Sequence, residues 1–340
     1  MPEKTERKIF AGLGEAVREK TGPARIAVIT DENVAPLYLD ACREVLESAG
    51  LPTEAIVITV GETAKSGAVY LDVMDKLARI PLTRTDAVLA LGGGVTGDLA
   101  GFVAATYLRG IPIVQVPTTL LAMVDSSIGG KTAINLPAGK NLCGAFHLPC
   151  LIYRELQVLD TLPEDVFRDG LAEILKYGMI ADAELFRQGA GYQRRPAVED
   201  PELQAIIRRC VEIKEGLTRE DPLDTGCRQL LNFGHTIGHA IEKLSNYAIP
   251  HGAAVARGME AVTAIAVRQG WCDGETLAGL RAALLGQSFR LGVPFPAEAV
   301  YAVLAGDKKR KGDMIDLVIP ERIGSCVLRR LPVADLRSLL

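Results

Sequence analysis

The residues with the clearest chemical potential lie in two stretches of this 340-residue chain. The first runs from Leu89 to Lys140, where Gly92, Gly94 and Gly97 match G-x-G-x-x-G after an apolar run. Glycines at a strand-to-helix turn let the backbone approach a pyrophosphate, and the helix N-terminus offers it free N–H groups. A lone match is weak evidence. Here, however, the motif is followed by a dense set of polar residues: Thr118, Thr119, Asp125, Ser126, Lys131, Lys140 and Asn141. The stretch predicts a site for a phosphate-bearing ligand.

The second stretch holds three of the four histidines, His235, His239 and His251. His235 and His239 are four positions apart and share a helix face, but Thr236 excludes the zinc-protease motif. A single histidine is more often a packing or capping residue. Three of them, with Glu173 on another amphipathic helix, favour a divalent metal, and imidazole with carboxylate suits zinc. The spacing leaves open which of His235 and His239 binds metal and which moves protons.

Several basic residues lie beside these glycine-rich and histidine-rich segments. Each alone is more often a solvated surface charge, but their positions together indicate a small phosphorylated substrate. They are Lys131, Lys140, Lys176, Lys214, Arg228, Lys308 and Lys309.

Composition excludes several classes of partner. The net charge of −4 provides no basic field for nucleic acid. No apolar run reaches the roughly 18 residues that span a bilayer, and the first ten residues lack the apolar segment of a signal peptide. The seven cysteines are scattered without any C-x-x-C, which is typical of buried free thiols in a reducing compartment. We therefore expect a cytoplasmic protein with no membrane partner.

The first half of the sequence predicts alternating strands and helices, and so a parallel sheet covered on both faces. The expected strands are Arg25–Thr30, Glu54–Val60, Asp86–Gly92 and Ile111–Pro117, and the expected helices are Asp31–Glu47, Ala68–Leu77 and Val95–Leu108. Ligands of such sheets bind at the carboxyl ends of the strands. The glycine motif follows the third strand, and no acidic residue stands about 20 positions beyond it. If the ligand is NAD, Asp31 is a candidate for the ribose hydroxyls, and N-cap of the next helix is an equal alternative.

The second half of the sequence predicts mainly helices. They are expected at Gly170–Ile180, Leu203–Leu217, Arg228–Leu244, Gly252–Ala266 and Cys272–Leu285, with a hairpin over Asp316–Leu331 that turns at Pro320–Ile323. The fold class is therefore α/β, with a Rossmann-like NAD-binding domain over residues 1–155 and a mostly α-helical metal-binding domain over residues 156–340.

These stretches closely resemble the 3-dehydroquinate synthase family of sugar-phosphate cyclases. The matching stretches include GGGVTGDLAGFVAATYLRG, VPTTLLAMVDSSIGGKTAIN, GLAEILKYG and RQLLNFGHTIGHAIE, and they occur in family order from about residue 31 to 324. The resemblance implies a lyase of the shikimate pathway, which makes aromatic amino acid precursors. Its reaction converts 3-deoxy-D-arabino-heptulosonate 7-phosphate to 3-dehydroquinate and phosphate.

The resemblance also implies roles for individual residues. The metal ligands, for zinc or cobalt, would be Glu173, His235 and His251. NAD would be held by Asp31, Asn33, Glu62, Lys65, Gly92, Gly93, Gly94, Asp98, Thr118, Thr119, Lys140, Val158, Leu159, Asp160 and Thr161. The substrate would be held by Asp125, Lys131, Asn141, Lys176, Lys214, Arg228, Asn232, His239 and one of Lys308 and Lys309. Arg109, expected at the end of the helix after the glycine loop, would reach the phosphate of a neighbouring subunit and make a homodimer functional.

The implied mechanism accounts for these residue types. A cation on two substrate hydroxyls acidifies the one that is oxidised, and NAD takes the hydride transiently. The resulting ketone promotes elimination of phosphate, whose charge the basic residues stabilise. Hydride return, ring opening and an intramolecular aldol closure complete the reaction. Four positions depart from the family pattern: Ala253 replaces a usual Glu, Asp224 stands where Glu is usual, Asp169 where Asn is common and Glu155 where Asp is common. They leave room for a related cyclase with another sugar phosphate.

Two further functions compete with this interpretation. A metal-dependent alcohol or polyol dehydrogenase shares the two-domain plan, but it would release NADH and would not need the cations Lys131, Lys214 and Arg228. A non-enzymatic NAD sensor would have no reason to keep the three histidines with Glu173.

Overall fold

The computed structural model describes residues 9–192, 200–306 and 312–340, so the predicted substrate residues Lys308 and Lys309 lie outside the described residues. The chain divides into two compact units, Met1–Leu162 and Pro163–Leu340. The sequence placed the division slightly earlier, at residue 155.

The N-terminal unit is built around a parallel sheet. In chain order its elements are α1 (Leu13–Thr21), β1 (Ile26–Asp31), α2 (Asp40–Ser48), β2 (Thr53–Ile58), α3 (Gly67–Ala78), β3 (Ala87–Gly92), α4 (Gly94–Thr106), β4 (Ile113–Pro117), β5 (Lys131–Leu136), β6 (Gly139–Phe146) and β7 (Leu151–Ile152). The sheet has the order β2-β1-β3-β4-β7, and all of its pairings are parallel. Strands β3 and β4 are buried throughout, as the apolar runs predict for a sheet covered on both faces. The predicted α/β architecture is confirmed.

Register brings the carboxyl ends of these strands to one edge of the sheet. Asp31, the last residue of β1, is aligned with Ile58 of β2, and Gly92 of β3 is aligned with Pro117 of β4. The loops that leave this edge therefore carry the predicted ligand-binding residues, since all four strands run in the same direction.

The hairpin β5–β6 was not predicted. Its strands pair antiparallel, with Lys131 opposite Phe146 and Leu136 opposite Gly139. The sequence analysis interpreted this segment only as a polar site, because Lys131, Lys140 and Asn141 interrupt any strand-like alternation. In the structure these residues are carried on the hairpin itself.

The predicted end of the helix after the glycine loop was wrong. Helix α4 stops at Thr106, and Tyr107–Arg109 forms a short 3₁₀ turn that Gly110 terminates at φ 113°. Leu108 and Arg109 both have positive φ, at 50° and 67°. This conformation is rare for residues with side chains and presents Arg109 at the surface.

The C-terminal unit is mainly helical, as predicted. Its elements are α5 (Glu164–Ala181), α6 (Ala183–Gly191), α7 (Pro201–Glu220), α8 (His235–Leu244), α9 (His251–Arg268), α10 (Gly274–Gly286), α11 (Ala297–Ala305), β8 (Met314–Arg322), β9 (Ser325–Pro332) and α12 (Leu336–Leu339). The predicted hairpin is present as β8–β9, but it turns at Ile323–Gly324 and not at Pro320. Helix α5 is buried from Gly170 to Ile180 and not only on one face, so Glu173 and Lys176 are both inside the unit.

The single long helix predicted over Arg228–Leu244 was also wrong. A 3₁₀ segment over Cys227–Asn232 is separated from α8 by Gly234, whose φ is 77°. A Cβ at Gly258 of α9 would lie 2.0 Å from the carbonyl oxygen of Gly234, so the two segments touch backbone to backbone. The break makes His235 the first residue of its helix.

Candidate functional site

The glycine loop of the N-terminal unit has the geometry expected of an anion-binding turn. Gly92 ends β3, and Gly93 is the N-cap of α4, so no side chain caps the first N–H groups of that helix. A Cβ at Gly92 would lie 2.6 Å from the side chain of Thr96, and one at Gly94 would lie 3.0 Å from Oγ of Ser126. These positions require glycine for packing as well as for access to a ligand.

Asp31 uses one carboxylate oxygen for the turn after β1 and the other for the helix that follows the glycine loop. Its Oδ1 accepts hydrogen bonds from the backbone N–H groups of Asn33 and Val34, at 3.0 and 3.1 Å. Its Oδ2 accepts one from the hydroxyl of Thr96 on α4, at 3.0 Å. The carboxylate therefore caps the turn after β1, yet it remains partly exposed. The capping role is compatible with the ribose-binding role that the sequence left open.

A compact polar network lies around Lys65, which is 4% exposed. Its ammonium donates to Oδ2 of Asp98 at 2.6 Å and to Oδ1 of Asn141 at 2.7 Å, and Glu62 lies 4.0 Å away. Lys140 is 3.6 Å from the same Glu62. The structure thus brings together five residues that the sequence analysis assigned separately to cofactor and substrate.

Asn135 organises this network and was missed by the sequence analysis. Its side-chain NH₂ group donates to Oε1 of Glu62 at 2.7 Å, and its side-chain oxygen Oδ1 accepts from the backbone N–H of Asn141 at 2.9 Å. Its own backbone N–H donates to the carbonyl of Lys65 at 2.7 Å. Asn141 has φ 53°, so the contact also holds a left-handed residue. The signal available in the sequence was the polar amide of Asn135, which follows the apolar residues Ala133 and Ile134 between Lys131 and Lys140.

The remaining predicted residues of this unit occupy several loops. Thr118 is buried and its N–H donates to the carbonyl of Gly92 at 3.0 Å, while the Thr119 hydroxyl accepts from the N–H of Ala122. Asp125 lies in a helical turn over Ala122–Ser126, and Lys131 is exposed at the start of β5.

The segment Val158–Thr161 contacts a different part of the same unit. The hydroxyl of Tyr38 donates to the carbonyl of Val158 at 3.2 Å and lies 2.5 Å from Oγ1 of Thr161. These contacts fix the segment against the element that follows β1, the same region that carries Asp31 and Asn33.

Three side chains that could ligate a metal converge inside the C-terminal unit. Glu173 of α5 is fully buried, and His235 and His251 are the first residues of α8 and α9. Oε1 of Glu173 lies 3.6 Å from Nε2 of His235 and 3.3 Å from Nε2 of His251. Ligands bound tetrahedrally at about 2.0–2.1 Å are about 3.3 Å apart, so the spacing fits a zinc-type site with one open position.

The electrostatics of this cluster favour a cation. Burial alone would lower the pKa of His251, but hydrogen bonds to Glu173 and Glu242, and the charges of both, outweigh it and raise the pKa to about 10. Lys176, also buried, forms an ion pair with Glu173. A site that stabilises a proton this strongly also attracts a divalent ion.

His239 lies differently from His235. Its side chain is 40% exposed, and Nε2 is 4.0 Å from Oε2 of Glu242. Nδ1 of His235, in contrast, is 3.1 Å from the carbonyl oxygen of Phe233, which leaves Nε2 for the cluster. The geometry favours His235 as ligand and leaves His239 accessible for proton transfer.

Glu242 is the second residue that sequence reasoning missed. It is 2% exposed and approaches Nδ1 of His251 at 3.5 Å. The signal was present in HTIGHAIE, where His235, His239 and Glu242 follow one helical stripe at spacings of four and three.

The other candidate cations of this unit are also inside it. Lys214 of α7 is 7% exposed and Arg228 is 1% exposed, and charged side chains are rarely buried to this extent unless they are paired. The backbone N–H of Arg228 donates to Asp221, and its guanidinium donates to the carbonyl of Pro222 at 2.9 Å. The side-chain amide of Asn232 donates to the carbonyl of Gln229 at 3.1 Å.

Two of the departures from the family pattern, Asp169 and Ala253, meet at the start of α9. Oδ1 of Asp169 accepts a hydrogen bond from the backbone N–H of Ala253 at 3.2 Å. Burial raises the pKa of the Asp169 carboxyl to about 6, although the charge of His251 and the N–H donors of Gly252 and Ala253 oppose the shift. A buried carboxyl therefore lies beside Ala253 at the start of this helix.

Two properties of the whole chain complete this description. Among the described residues, no helix combines the length and the apolar character that crossing a bilayer requires. All seven cysteines are free thiols.

Comparison with known proteins places these residues in a family. Residues 55–169 match the family described as 3-dehydroquinate synthase N-terminal, and residues 170–310 match 3-dehydroquinate synthase C-terminal. The 3-dehydroquinate synthase of Enterococcus faecalis is 42% identical over 332 residues, 96% of this chain and 92% of the relative. That of Symbiobacterium thermophilum is 43% identical over 326 residues, covering 94% and 91%.

Solved structures share the fold. A 2-epi-5-epi-valiolone synthase from Streptomyces hygroscopicus, solved with NAD⁺ and Zn²⁺ bound, has a TM-score of 0.88 at 26% identity, covering 97% of this chain and 92% of that one. A butanol dehydrogenase from Thermotoga maritima has a TM-score of 0.70 at 17% identity, covering 97% and 93%, which shows likeness of fold alone. The match of both family halves and identity above 40% over nearly the full length lead to one conclusion: the chain belongs to the 3-dehydroquinate synthase family, and it is an enzyme.

Proposed function

We propose that this enzyme converts 3-deoxy-D-arabino-heptulosonate 7-phosphate to 3-dehydroquinate and inorganic phosphate, as a carbon–oxygen lyase of the shikimate pathway. The observation that carries the proposal is the convergence of Nε2 of His235 and Nε2 of His251 on Oε1 of Glu173, in a chain whose relatives bear this enzyme's name. A non-enzymatic NAD-binding protein would not need this cluster.

The donor sets fit the two cofactors of the proposal. Glu173, His235 and His251 would hold a divalent cation, zinc or cobalt, since two imidazoles and a carboxylate leave a position open for substrate. The uncapped start of α4 would hold the pyrophosphate of NAD, and Asp31 would contact its ribose. When bound, the cation acidifies a substrate hydroxyl, and NAD takes and returns the hydride.

The protein's own residues then bind and orient the substrate. In the C-terminal unit, the buried cations Lys214 and Arg228 would stabilise the negative charge that develops on the departing phosphate. In the N-terminal unit, we assign Lys131 and Asn141 to the substrate, Lys131 as a cation and Asn141 as a hydrogen-bond donor. His239 is exposed enough to exchange protons with a ligand and would move protons during this step. Lys176, Asn232 and Asp125 would orient the substrate hydroxyls, and ring closure would then depend mainly on this orientation.

Assembly and location are part of the proposal. The left-handed pair Leu108–Arg109 displays an arginine at the surface, and conformations of this kind persist where a function requires them. Helix α4 has 13 residues and is about 20 Å long, so Arg109 is remote from the glycine loop at the other end of that helix. We assign Arg109 to the phosphate of a partner subunit, and therefore propose a homodimer. The free thiols support a reducing, cytoplasmic location.

The deciding experiment is a phosphate-release assay. Purified enzyme receives the heptulosonate phosphate, Zn²⁺ and NAD in an amount far below the substrate. We expect phosphate release with many turnovers per NAD and no net NADH absorbance, because the hydride is returned within each cycle. Conversion of all the supplied NAD to NADH would establish the alcohol dehydrogenase alternative.

Two controls complete this assay. Release only from other sugar phosphates would establish a related cyclase. The His235→Ala variant should release no phosphate under any of these conditions.

A further inference from the structure

The carboxylate of Glu242 lies on the far side of His251 from the proposed metal position. Oε1 of Glu242 is 3.5 Å from Nδ1 of His251, whereas Nε2 of the same ring is 3.3 Å from Glu173. One ring nitrogen therefore faces the ligand cluster, and the other faces a buried carboxylate. A neutral imidazole carries one proton, so Nδ1–H directed at Glu242 leaves the lone pair of Nε2 for a cation.

The burial of Glu242 indicates that its contact with His251 is needed to stabilise the carboxylate. Glu242 is only 2% exposed on a helix of the same unit, and desolvating a carboxylate is costly unless a charged or donating partner compensates it. Its other oxygen is 4.0 Å from Nε2 of His239. The carboxylate therefore lies near one proposed ligand and near the proposed proton carrier.

His235 shows the same arrangement as His251: the ring nitrogen that points away from the cluster contacts a hydrogen-bond acceptor. There the outer ring nitrogen is 3.1 Å from the backbone carbonyl of Phe233, so a neutral acceptor fixes which nitrogen is available. At His251 the acceptor is an anion, which makes its imidazole the more basic of the two.

We propose that Glu242 is a positioning residue for the metal site: it accepts the Nδ1–H of His251, fixes the tautomer that presents Nε2, and increases the basicity of that nitrogen. The proposal rests on the metal site assigned above. An alternative occupant is a second cation held by His239, Glu242 and His251, whose ligand atoms also lie within 4.8 Å of one another.

The test compares metal binding by the wild-type enzyme, Glu242→Gln and Glu242→Ala. Affinity and stoichiometry for Co²⁺ are measured by competition with a chromophoric chelator, and the visible absorption of bound Co²⁺ reports ligand geometry. We expect one ion per chain throughout. Affinity should fall by about 10–100-fold in Glu242→Ala, the range typical of partners that orient metal-bound histidines, with an altered Co²⁺ spectrum. Glu242→Gln keeps an acceptor without the charge and should lose less.

Glu260→Gln is the matched control, because Glu260 is also buried but pairs with Arg281 in the same unit. It should bind Co²⁺ like the wild type. If Glu242→Ala does not fold, the comparison of Glu242→Gln with this control decides, and an unchanged affinity and spectrum overturn the proposal. Two ions in the wild type and one in a Glu242 variant would also overturn it, in favour of the second cation. A wild type that binds no ion would refute the proposed metal site itself.

Discussion

The Lys65 network and the metal cluster, one in each unit, are both polar and largely buried, but their charges are compensated differently. Around Lys65, an ammonium meets Asp98 and Asn141 at hydrogen-bonding distances of 2.6 and 2.7 Å. Around Glu173, two buried carboxylates face one histidine, whose pKa they raise to about 10. In the first region the charged groups pair directly with one another, whereas in the second the raised pKa of His251 favours a proton where a cation would bind.

This difference predicts separable behaviour of the two regions. A preformed network needs little rearrangement when a cofactor arrives, and its loss should weaken binding moderately. A cluster that exchanges a proton for a cation should depend strongly on the ion and on pH. The predictions that follow separate the two, from the largest effect to the smallest.

The largest effect should come from the metal cluster. Removal of bound metal with a chelator should abolish phosphate release, and added Zn²⁺ should restore it. His235→Ala should weaken Zn²⁺ binding by more than about 100-fold, because loss of a direct ligand exceeds the 10–100-fold typical of its supporting partners. NAD affinity, measured by fluorescence titration, should not change.

His239→Ala is the matched variant, four residues along the same helix. It should keep Zn²⁺ affinity and lose turnover. The opposite result, tight Zn²⁺ binding by His235→Ala and weak binding by His239→Ala, would exchange the two roles.

A smaller effect is expected from Asn135 in the N-terminal unit. Asn135→Ala removes one hydrogen bond to Glu62 and one to Asn141, and should raise the dissociation constant of NAD about tenfold, equivalent to roughly 1.4 kcal/mol. Asn135→Asp keeps the acceptor for Asn141 but repels Glu62, so it should weaken NAD more. Zn²⁺ affinity is the control and should stay constant. If the Asn135 variants raise the KM of the sugar phosphate but leave the dissociation constant of NAD unchanged, the network binds the substrate and not NAD.

The elements that the sequence predicted best are those whose signal is local. Strands β1, β3 and β4 were placed within two residues, because a continuous apolar run of this length fits a strand of a sheet buried on both faces. The alternation of strands with helices then implied the parallel sheet, and with it the edge at which Asp31 and Gly92 lie.

The errors arise where distant contacts decide. Gly234 breaks the predicted helix over Arg228–Leu244, because α9 approaches it at Gly258, and nothing within the helix pattern reveals that approach. Asn135 and Glu242 were missed for the same reason: each acquires its role from side chains on other elements. His235 and His239 could be named from spacing, but only the position of Glu173 distinguishes them.

A partial recovery of activity should result from mixing two inactive variants with defects in different units. Arg109→Ala and His235→Ala are purified separately and allowed to exchange subunits. If Arg109 serves a partner's site, a heterodimer carries one site with both defects and one site with neither. Random pairing makes half of the dimers heterodimers, each with one intact site of two, so about a quarter of wild-type activity should return.

Arg79→Ala is the control for this mixture, because Arg79 is another exposed arginine of the N-terminal unit. It should be active alone. Confirmed exchange without recovered activity would place Arg109 in its own subunit's site or reduce it to a surface charge.

The smallest expected effect is the release of a single proton from His251 when the metal binds. The pKa of His251 without metal is raised from 6.5 to about 10, so between pH 7 and pH 9 its ring carries a proton that bound metal must displace. Zn²⁺ binding at pH 8 should therefore release about one proton from this residue. The affinity should increase with pH, by up to about tenfold per pH unit, until the pH exceeds the raised pKa of about 10 and the metal-free ring is neutral. Calorimetric titrations in buffers of different ionisation enthalpy measure the number of protons released on binding.

The control is His239→Ala, which should release the same number of protons on Zn²⁺ binding, because the His239 ring lies outside the Glu173 cluster. If no proton is released at pH 8, the ligands are already neutral, and the contrast between the proton-binding cluster and the directly paired Lys65 network is wrong.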